Sequence, residues 1–458
     1  MYRVHLRLSR PLLWLCLVRF VVAGCGPIVA PVSVAAQAAP PIAIDWVRYQ
    51  LHNGLDVVLA PDDTAAEVSI ELWVHMGARH ESPGRFGLAH FFEHAMPFGQ
   101  GVIRTGLARE LVDSMRTNSN AITRFDYTRF YTQARAEALD LSLHAAADRL
   151  RADPVLELTP ERIDVHRRNV QSEIERAANG TWGWPVKSAL HAATFGPQHP
   201  YGHHIYGSEA ETWDVTADDM LRWFRAHIRP EYTTLIVTGR FDTATARLSI
   251  DRAFRGIAGG ERADRAASAA PTMEPVVDTV TITSSTNYVF LSWAVPHAAS
   301  EERAPLTLLA RVLTARLRAN RPASVEDAMA EAEFWELAGR FGLRASFPSE
   351  AEADRPAIEA WLRGTVADLL TNGVIQAELR AARDAELVDI REQMTALGWQ
   401  RSRAELLGEG VIFSDDPDAY RVQLARQEAV TPDIARRTAV QWLADRGALL
   451  VVRGVAPK

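Results

Sequence analysis

Gly87-Leu88-Ala89-His90-Phe91-Phe92-Glu93-His94 sets two imidazoles and a carboxylate within one turn of an expected helix. Residues four apart share a helix face, so His90 and His94 can reach one ion, and Glu93 borders that face. The order His-x-x-Glu-His reverses the commoner arrangement, in which the glutamate directly follows the first histidine. A catalytic zinc ion takes neutral nitrogen ligands and keeps one position open, where a nearby carboxylate can deprotonate bound water. Spacing alone also fits two ordinary helical histidines beside a solvated glutamate, so the surroundings must decide.

A catalytic zinc site usually has three protein ligands, and the third must come from elsewhere. Thr159 suits a helix cap, Pro160 the first helical position, and Gly180 lies just past a plausible end, which predicts a helix over 159–178. Its apolar stripe runs through Ile163, Val170, Ile174 and Ala177. At ~100° per residue, Glu173 falls about 70° from the stripe centre and Glu175 about 130°. Glu173 can therefore lean into a buried site, whereas Glu175 should face water. A boundary carboxylate paired with an arginine is the competing reading of Glu173. His199-Pro200-Tyr201-Gly202-His203-His204 is a rival metal site, although Pro200 and Gly202 make it a turn whose ligand geometry is not set by spacing.

The chain has 458 residues, enough for two or more domains with substantial cores. Its net charge of −7 with mixed signs and no long basic run excludes a nucleic-acid-binding composition. Residues 1–40 read as an export leader that is removed: Arg3, Arg7 and Arg10 precede the apolar runs Pro11 to Val18 and Phe20 to Gly24. Val22-Ala23-Gly24-Cys25 resembles a lipoprotein signal with an acylated Cys25, and Ala36-Gln37-Ala38 an ordinary cleavage site. The second is slightly favoured, because Arg19 leaves a short apolar run before Cys25. Cys16 and Cys25 both lie in this leader, so the expected mature chain has no disulfide. No later stretch approaches the ~18–20 apolar residues of a membrane span. The expected location is periplasmic or secreted, with lipid anchoring through Cys25 as the other outcome.

The stretch 256–275, rich in Gly, Ala and Ser, is the best linker candidate. The expected organisation is a zinc-binding domain over 41–258, a linker over 259–277 and a second domain over 278–458. Thirteen of fourteen histidines lie at or before His227, which assigns metal chemistry to the first half. A Thr-capped helix start at Thr216 is followed 23 residues later by Gly239, closing Thr234-Leu235-Ile236-Val237-Thr238. Thr431 and Gly454 repeat that spacing around Leu449 to Arg453, which suggests a duplicated unit. Leu55 to Leu59 and Glu67 to Val74 read as paired strands, and 107–116, 136–150 and 160–178 as helices. The expected fold class is α+β, two homologous domains, each a mainly antiparallel sheet covered by helices.

Taken together, these residues resemble the pitrilysin/insulinase family of zinc peptidases, the inverzincins, and in particular its mitochondrial-processing-peptidase-like bacterial branch. The resemblance rests on Leu51 to Val58, Gly77-Ala78-Arg79-His80-Glu81, the His90–His94 motif, Asn120-Ala121-Ile122-Thr123 and Asp126-Tyr127-Thr128. Asn169 to Glu173, His199-Pro200-Tyr201-Gly202 and Arg229-Pro230 through Gly239 extend it. It implies one zinc per chain on His90, His94 and Glu173, with Glu93 as general base toward zinc-bound water. Asn120, Ala121 and Thr123 would line the cleft and hold an extended peptide as an added strand. The His-Pro-Tyr-Gly turn is structural in the family.

Two departures qualify it. Pro97 stands where the family continues the metal helix, so that helix is expected to end or bend just after His94. Active members carry a substrate-binding Arg followed seven residues later by Tyr. Here the nearest counterpart is Arg318, and Val325 stands seven residues on. A homologous partner subunit supplying the pair, or a homodimer, is therefore expected. The leading functional expectation is an exported zinc endopeptidase acting on peptides or unfolded segments. The alternative is a non-catalytic peptide-binding or assembly subunit on the same fold.

Overall fold

A computed structural model describes residues 42–96, 115–151, 158–178, 183–260, 276–398, 400–445 and 447–455. The leader with Cys16 and Cys25, the core of the expected linker, Pro97 and most of the expected helix over 107–116 lie outside the described residues.

The first half runs β1 (Val47–Gln50), β2 (Asp56–Pro61), β3 (Glu67–Val74), α1 (Leu88–Ala95), β4 (Arg116–Thr123) and β5 (Thr128–Arg135). It continues with α2 (Leu139–Arg151), α3 (Pro160–Ala178), α4 (Trp184–Phe195), α5 (Glu209–Trp213), α6 (Ala217–His227), β6 (Thr233–Gly239) and α7 (Thr243–Phe254). The second half runs β7 (Val277–Thr283), β8 (Thr286–Val295), α8 (Arg303–Ala319), β9 (Asp327–Phe334), β10 (Gly339–Pro348) and α9 (Arg355–Asn372). Then come α10 (Gln376–Thr395), α11 (Arg403–Ser414), α12 (Ala419–Ala429), α13 (Pro432–Leu443) and β11 (Ala448–Val455).

The two sheets have orders β1-β2-β6-β3-β5-β4 and β7-β11-β8-β10-β9. Without β1, they superpose strand for strand in topology. Each has one parallel pair, β2 with β6 and β7 with β11, and is otherwise antiparallel. The repeated cap, helix and strand are the same element in each copy. The Thr216 hydroxyl accepts the Asp219 N–H at the start of α6, and the Thr431 hydroxyl accepts the Ile434 N–H at the start of α13.

Three sequence expectations are corrected. β2 and β3 share a sheet but do not pair, because β6 lies between them. All seven residues of β6 are buried, and a strand buried on both faces belongs in a sheet interior. Arg116 opens strand β4 rather than ending a helix. The polar run Arg116 to Asn120 gains its order by pairing with β5 instead of by helix propensity. The helix expected from Ala136 begins with a 3₁₀ turn, and regular α-helix starts at Leu139.

The halves are interlocked by exchange of one helix each. α4 lays Val186 and Leu190 on Tyr288, Phe290 and Leu450 of the second sheet. In return, α11 lays Leu407 and Val411 on Val58, Trp73 and Ile236 of the first. Full burial of Leu407 and Val411 contributes about 1.5–3 kcal/mol apiece. Gly408 is required at this crossing, since a Cβ there would stand 2.4 Å from the Trp73 ring.

Candidate metal centre

α1 has only eight residues, so its position depends on what holds its ends. Gly87 precedes it with φ +89, and a Cβ there would meet the Tyr206 carbonyl oxygen at 2.2 Å. The buried Glu81 carboxylate accepts the N–H groups of Gly87 at 2.8 Å and Ala89 at 2.7 Å, satisfying donors that the first helical turn leaves open. Burial pushes the Glu81 carboxyl well above its usual range, and those two N–H groups oppose the shift. Leu88, Ala89, Phe91, Phe92 and Ala95 anchor the helix in the core. It ends at Ala95, with the Met96 N–H bonded to the Phe92 carbonyl, just after His94.

On α3, Ile163, Val170 and Ile174 are buried, Glu173 is half-buried and Glu175 is exposed. The Ala177 side chain lies outside those described. His90 Nε2 and His94 Nε2 are 3.3 Å apart. Glu173 Oε2 lies 3.0 Å from His94 Nε2, and Oε1 lies 3.7 Å from His90 Nε2. The two rings are nearly perpendicular, at 87°, so their Nε2 edges aim at one point.

Two facing imidazole nitrogens share at most one proton, which leaves the pair short of a partner. A cation between them and the carboxylate resolves this. Tetrahedral zinc with bonds of ~2.0–2.1 Å separates two nitrogen ligands by about 3.3 Å, so the donor set fits that ion. Among the described residues this is one group of three His, Cys, Asp or Glu side chains able to hold a metal, with ligand atoms within 4.8 Å of one another. Hydrogen bonds from His90 and His94 hold the Glu173 carboxyl well below the usual carboxylate range. The Tyr206 ring packs 4.5 Å from that of His90, and burial with the neighbouring Glu173 charge pushes its phenol up to about 12.

Glu93 stands outside this triad. Its Oε2 accepts the Thr123 hydroxyl at 2.6 Å, which turns the carboxylate toward β4. β4 is the edge strand of the first sheet, paired on one side with β5. Asn120 is exposed on it, but its carboxamide oxygen accepts the Ala121 N–H at 2.9 Å, and the Ala121 methyl is buried. The Asn120 carboxamide oxygen is thus engaged within its own strand. A short polar side chain next to its own backbone satisfies itself locally.

Arg318 lies on the exposed end of α8 and lines a cavity of about 730 Å³ with Arg303, Arg311 and Met329. Val325, in the place of the expected tyrosine, is buried in the second core. Where α8 meets α10, the second half carries Arg311, which donates to Glu386 at 2.7 Å and Asp389 at 2.5 Å. Matching buried Ile163 and Ile174 of α3 to Leu379 and Ile390 of α10 puts Asp389 at the position of Glu173. A fixed guanidinium therefore occupies the location that corresponds to the metal centre.

The His199–His204 turn does not gather into a second centre. His203 stacks on Phe86 with ring centroids 3.8 Å apart, and its Nδ1 lies 4.0 Å from Glu81. The Tyr201 hydroxyl donates to Asp126 at 2.7 Å and accepts the Leu337 N–H at 2.9 Å. Arg79 adds ion pairs to Asp126 at 3.0 Å and Glu336 at 2.8 Å. Motif residues far apart in the chain thereby clamp the two halves together. Sequence reading assigned no role to Glu81, Arg79, Asp126 or Tyr206, because each acts through a partner that no local spacing marks.

The family profile described as Insulinase (Peptidase family M16) matches residues 56–209, and that described as Peptidase M16 inactive domain matches 214–386. Among curated relatives, the uncharacterized zinc protease YmxG of Bacillus subtilis is 28% identical over 193 residues, 42% of this chain and 46% of that protein. Zinc protease PqqE of Helicobacter pylori is 26% identical over 191 residues, 41% and 42% respectively. Cytochrome b-c1 complex subunit 1 of Caenorhabditis elegans is 27% identical over 189 residues, 41% and 39%. The alignments span less than half the length of these relatives. In fold, the chain is similar to a protease from Helicobacter pylori, with TM-score 0.79 and 18% identity over 90% of this chain and 99% of the other. It is also similar to the periplasmic protease PqqL from Escherichia coli, with TM-score 0.72 and 16% identity over 91% and 49%. The chain carries two domains of the M16 type and belongs to the insulinase family of peptidases, family M16.

Proposed function

We propose that the chain is a zinc-dependent endopeptidase, with one zinc held by His90, His94 and Glu173. Bound there, the ion supplies Lewis-acid activation of the attacking water and of the scissile carbonyl. Glu93 would take the proton of that water and pass it to the leaving amine, with the Thr123 hydroxyl holding the carboxylate in place through Oε2. The open edge of β4 pairs with the substrate backbone and holds it extended across the centre. The observation that carries this reading is the convergence of three ligand atoms within 4.8 Å beside a carboxylate on the same helical turn.

Arg318 and its cavity are the substrate-contacting part of the second half, and a partner subunit or second copy supplies the absent tyrosine. The domains extend over 41–258 and 278–458, and export by the leader places the enzyme outside the cytoplasm. Similarity to a cytochrome b-c1 subunit favours a second reading, a non-catalytic assembly subunit. Against it stand all four residues of the expected centre, His90, Glu93, His94 and Glu173. Zinc stoichiometry under metal control, with cleavage of a quenched peptide by wild type and Glu93→Gln, tests the choice. One zinc in both and cleavage in wild type alone is the expected result; zinc-free protein would sink it.

A further inference from the structure

A second cavity, of about 710 Å³, opens between the halves at the end of β4. It begins at Arg124, the residue after Thr123, whose hydroxyl holds Glu93. Arg124 is fixed there by its backbone: its N–H donates to the Tyr127 carbonyl at 2.8 Å, and its carbonyl accepts the Ala78 N–H at 3.0 Å. Gly77 lies so close that a Cβ would stand 2.2 Å from the Arg124 carbonyl oxygen.

The charges of the lining do not cancel evenly. Glu331 and Glu333 are both taken by Arg340, at 2.7 and 2.6 Å, and Arg344 adds a further contact to Glu331 at 3.4 Å. The remaining lining carboxylate, Glu409, is pushed up to about 7 by burial and by the nearby Glu405, so near neutrality it is only partly charged. Arg124, Lys187 and Arg303 also line the cavity; Arg124 and Arg303 both face Glu409, while Arg124 and Lys187 feel Glu333, which Arg340 already holds. Arg303 meets the Ala298 carbonyl at 3.4 Å and the Phe334 ring face at 5.7 Å, and feels the charges of Glu409 and Glu386. The lining thus sets four cations, Arg124, Lys187, Arg303 and Arg340, against three carboxylates of which Glu409 is only partly charged, and an incoming anion relieves the excess positive charge.

We propose that this cavity receives an acidic side chain of the peptide substrate, making the enzyme selective for Asp or Glu near the scissile bond. The proposal rests on the peptidase reading, since a peptide added to β4 along Asn120 to Thr123 leaves the strand over Arg124. Guanidinium and ammonium donors bind a carboxylate by charge-assisted hydrogen bonds, the strong class, and Arg124 can do so through two donors. A neutral Gln in the same place keeps the shape and loses the charge.

The test is binding as well as turnover. A labelled peptide series of one sequence, with Glu, Gln or Lys placed singly at successive positions, is titrated into the full Glu93→Gln chain and followed by fluorescence anisotropy. At one position Glu should bind about tenfold tighter than Gln, with Lys weakest, and added salt should shrink the difference. Arg124→Gln and, separately, the exposed Lys187→Gln should each reduce that preference severalfold, with thermal melting showing that both variants fold. Equal binding of Glu and Gln peptides at every position, tighter binding of Lys, or a preference that survives both substitutions would overturn the acidic pocket while leaving the peptidase reading intact. Failure of every peptide to bind would overturn both.

Discussion

The Thr123 hydroxyl donates to Glu93 Oε2 at 2.6 Å, joining the edge strand β4 to the metal helix α1 across thirty residues of chain. Thr123 is buried, so this bond is shielded from competing water. Glu93 and the open edge of β4 are thus held together.

Thr123→Val keeps the shape of that contact and removes the donor. Peptide cleavage should fall about tenfold in kcat with little change in KM or zinc content, since a neutral bond to a charged acceptor is worth about 1.5–3 kcal/mol. Steady-state kinetics with metal analysis on the same preparations checks it; unchanged kcat would mean Glu93 is positioned by something else.

His94→Ala should abolish stoichiometric zinc binding, because two remaining ligands do not hold a structural or catalytic zinc. His199→Gln, in the His-Pro-Tyr-Gly turn, should leave zinc at the wild-type level. Equilibrium dialysis against a metal buffer separates the two sites, and zinc loss from the His199 variant would restore the turn as a ligand source.

Gly408→Ala places a methyl group against the Trp73 ring where α11 crosses the first sheet. Overpacking there should cost about 1–3 kcal/mol. Because the same core joins residues of both halves, the melting transition should move down as a whole. Two separated transitions in calorimetry would show that the halves do not depend on this contact.

Glu71 is fully buried between the Trp73 indole N–H, at 2.9 Å, and Arg129, at 3.6 Å, and burial pushes its carboxyl up to about 7. Its folded pKa lies above the unfolded value of 4.5, so the native state binds the extra proton. The associated stability is present below pH ~4.5 and is lost as pH rises through about 7. Glu71→Gln removes that titration. The difference in denaturation free energy between wild type and variant should therefore change between pH ~4.5 and 7, by on the order of 1–3 kcal/mol, and stay flat above pH ~8.

The local half of this architecture was readable in the chain. Helix periodicity placed His90, His94 and Glu93 on adjoining faces and preferred Glu173 over Glu175, and the structure buries Ile163, Val170 and Ile174 behind Glu173 accordingly. Two Thr caps at equal distances from glycines at or near the ends of two strands revealed the duplication, because a cap and its helix are a short-range unit. The same reading paired β2 with β3, since neighbouring strands usually pair, and no local signal told that a strand arriving after Thr233 would enter between them.

By itself, then, the sequence determined which side chains share a helix face, where helices begin and that the fold is built twice, since the geometry of a turn follows from a few consecutive residues. Tertiary structure alone decided that Glu81 caps the metal helix, that Thr123 aims Glu93, that α4 and α11 exchange halves and that Arg311 fills the second half's empty counterpart of the metal centre. Those relationships join residues from eight to more than three hundred positions apart. They depend on which surfaces fit and which charges find partners once the chain has closed on itself, and no periodicity in the chain encodes that.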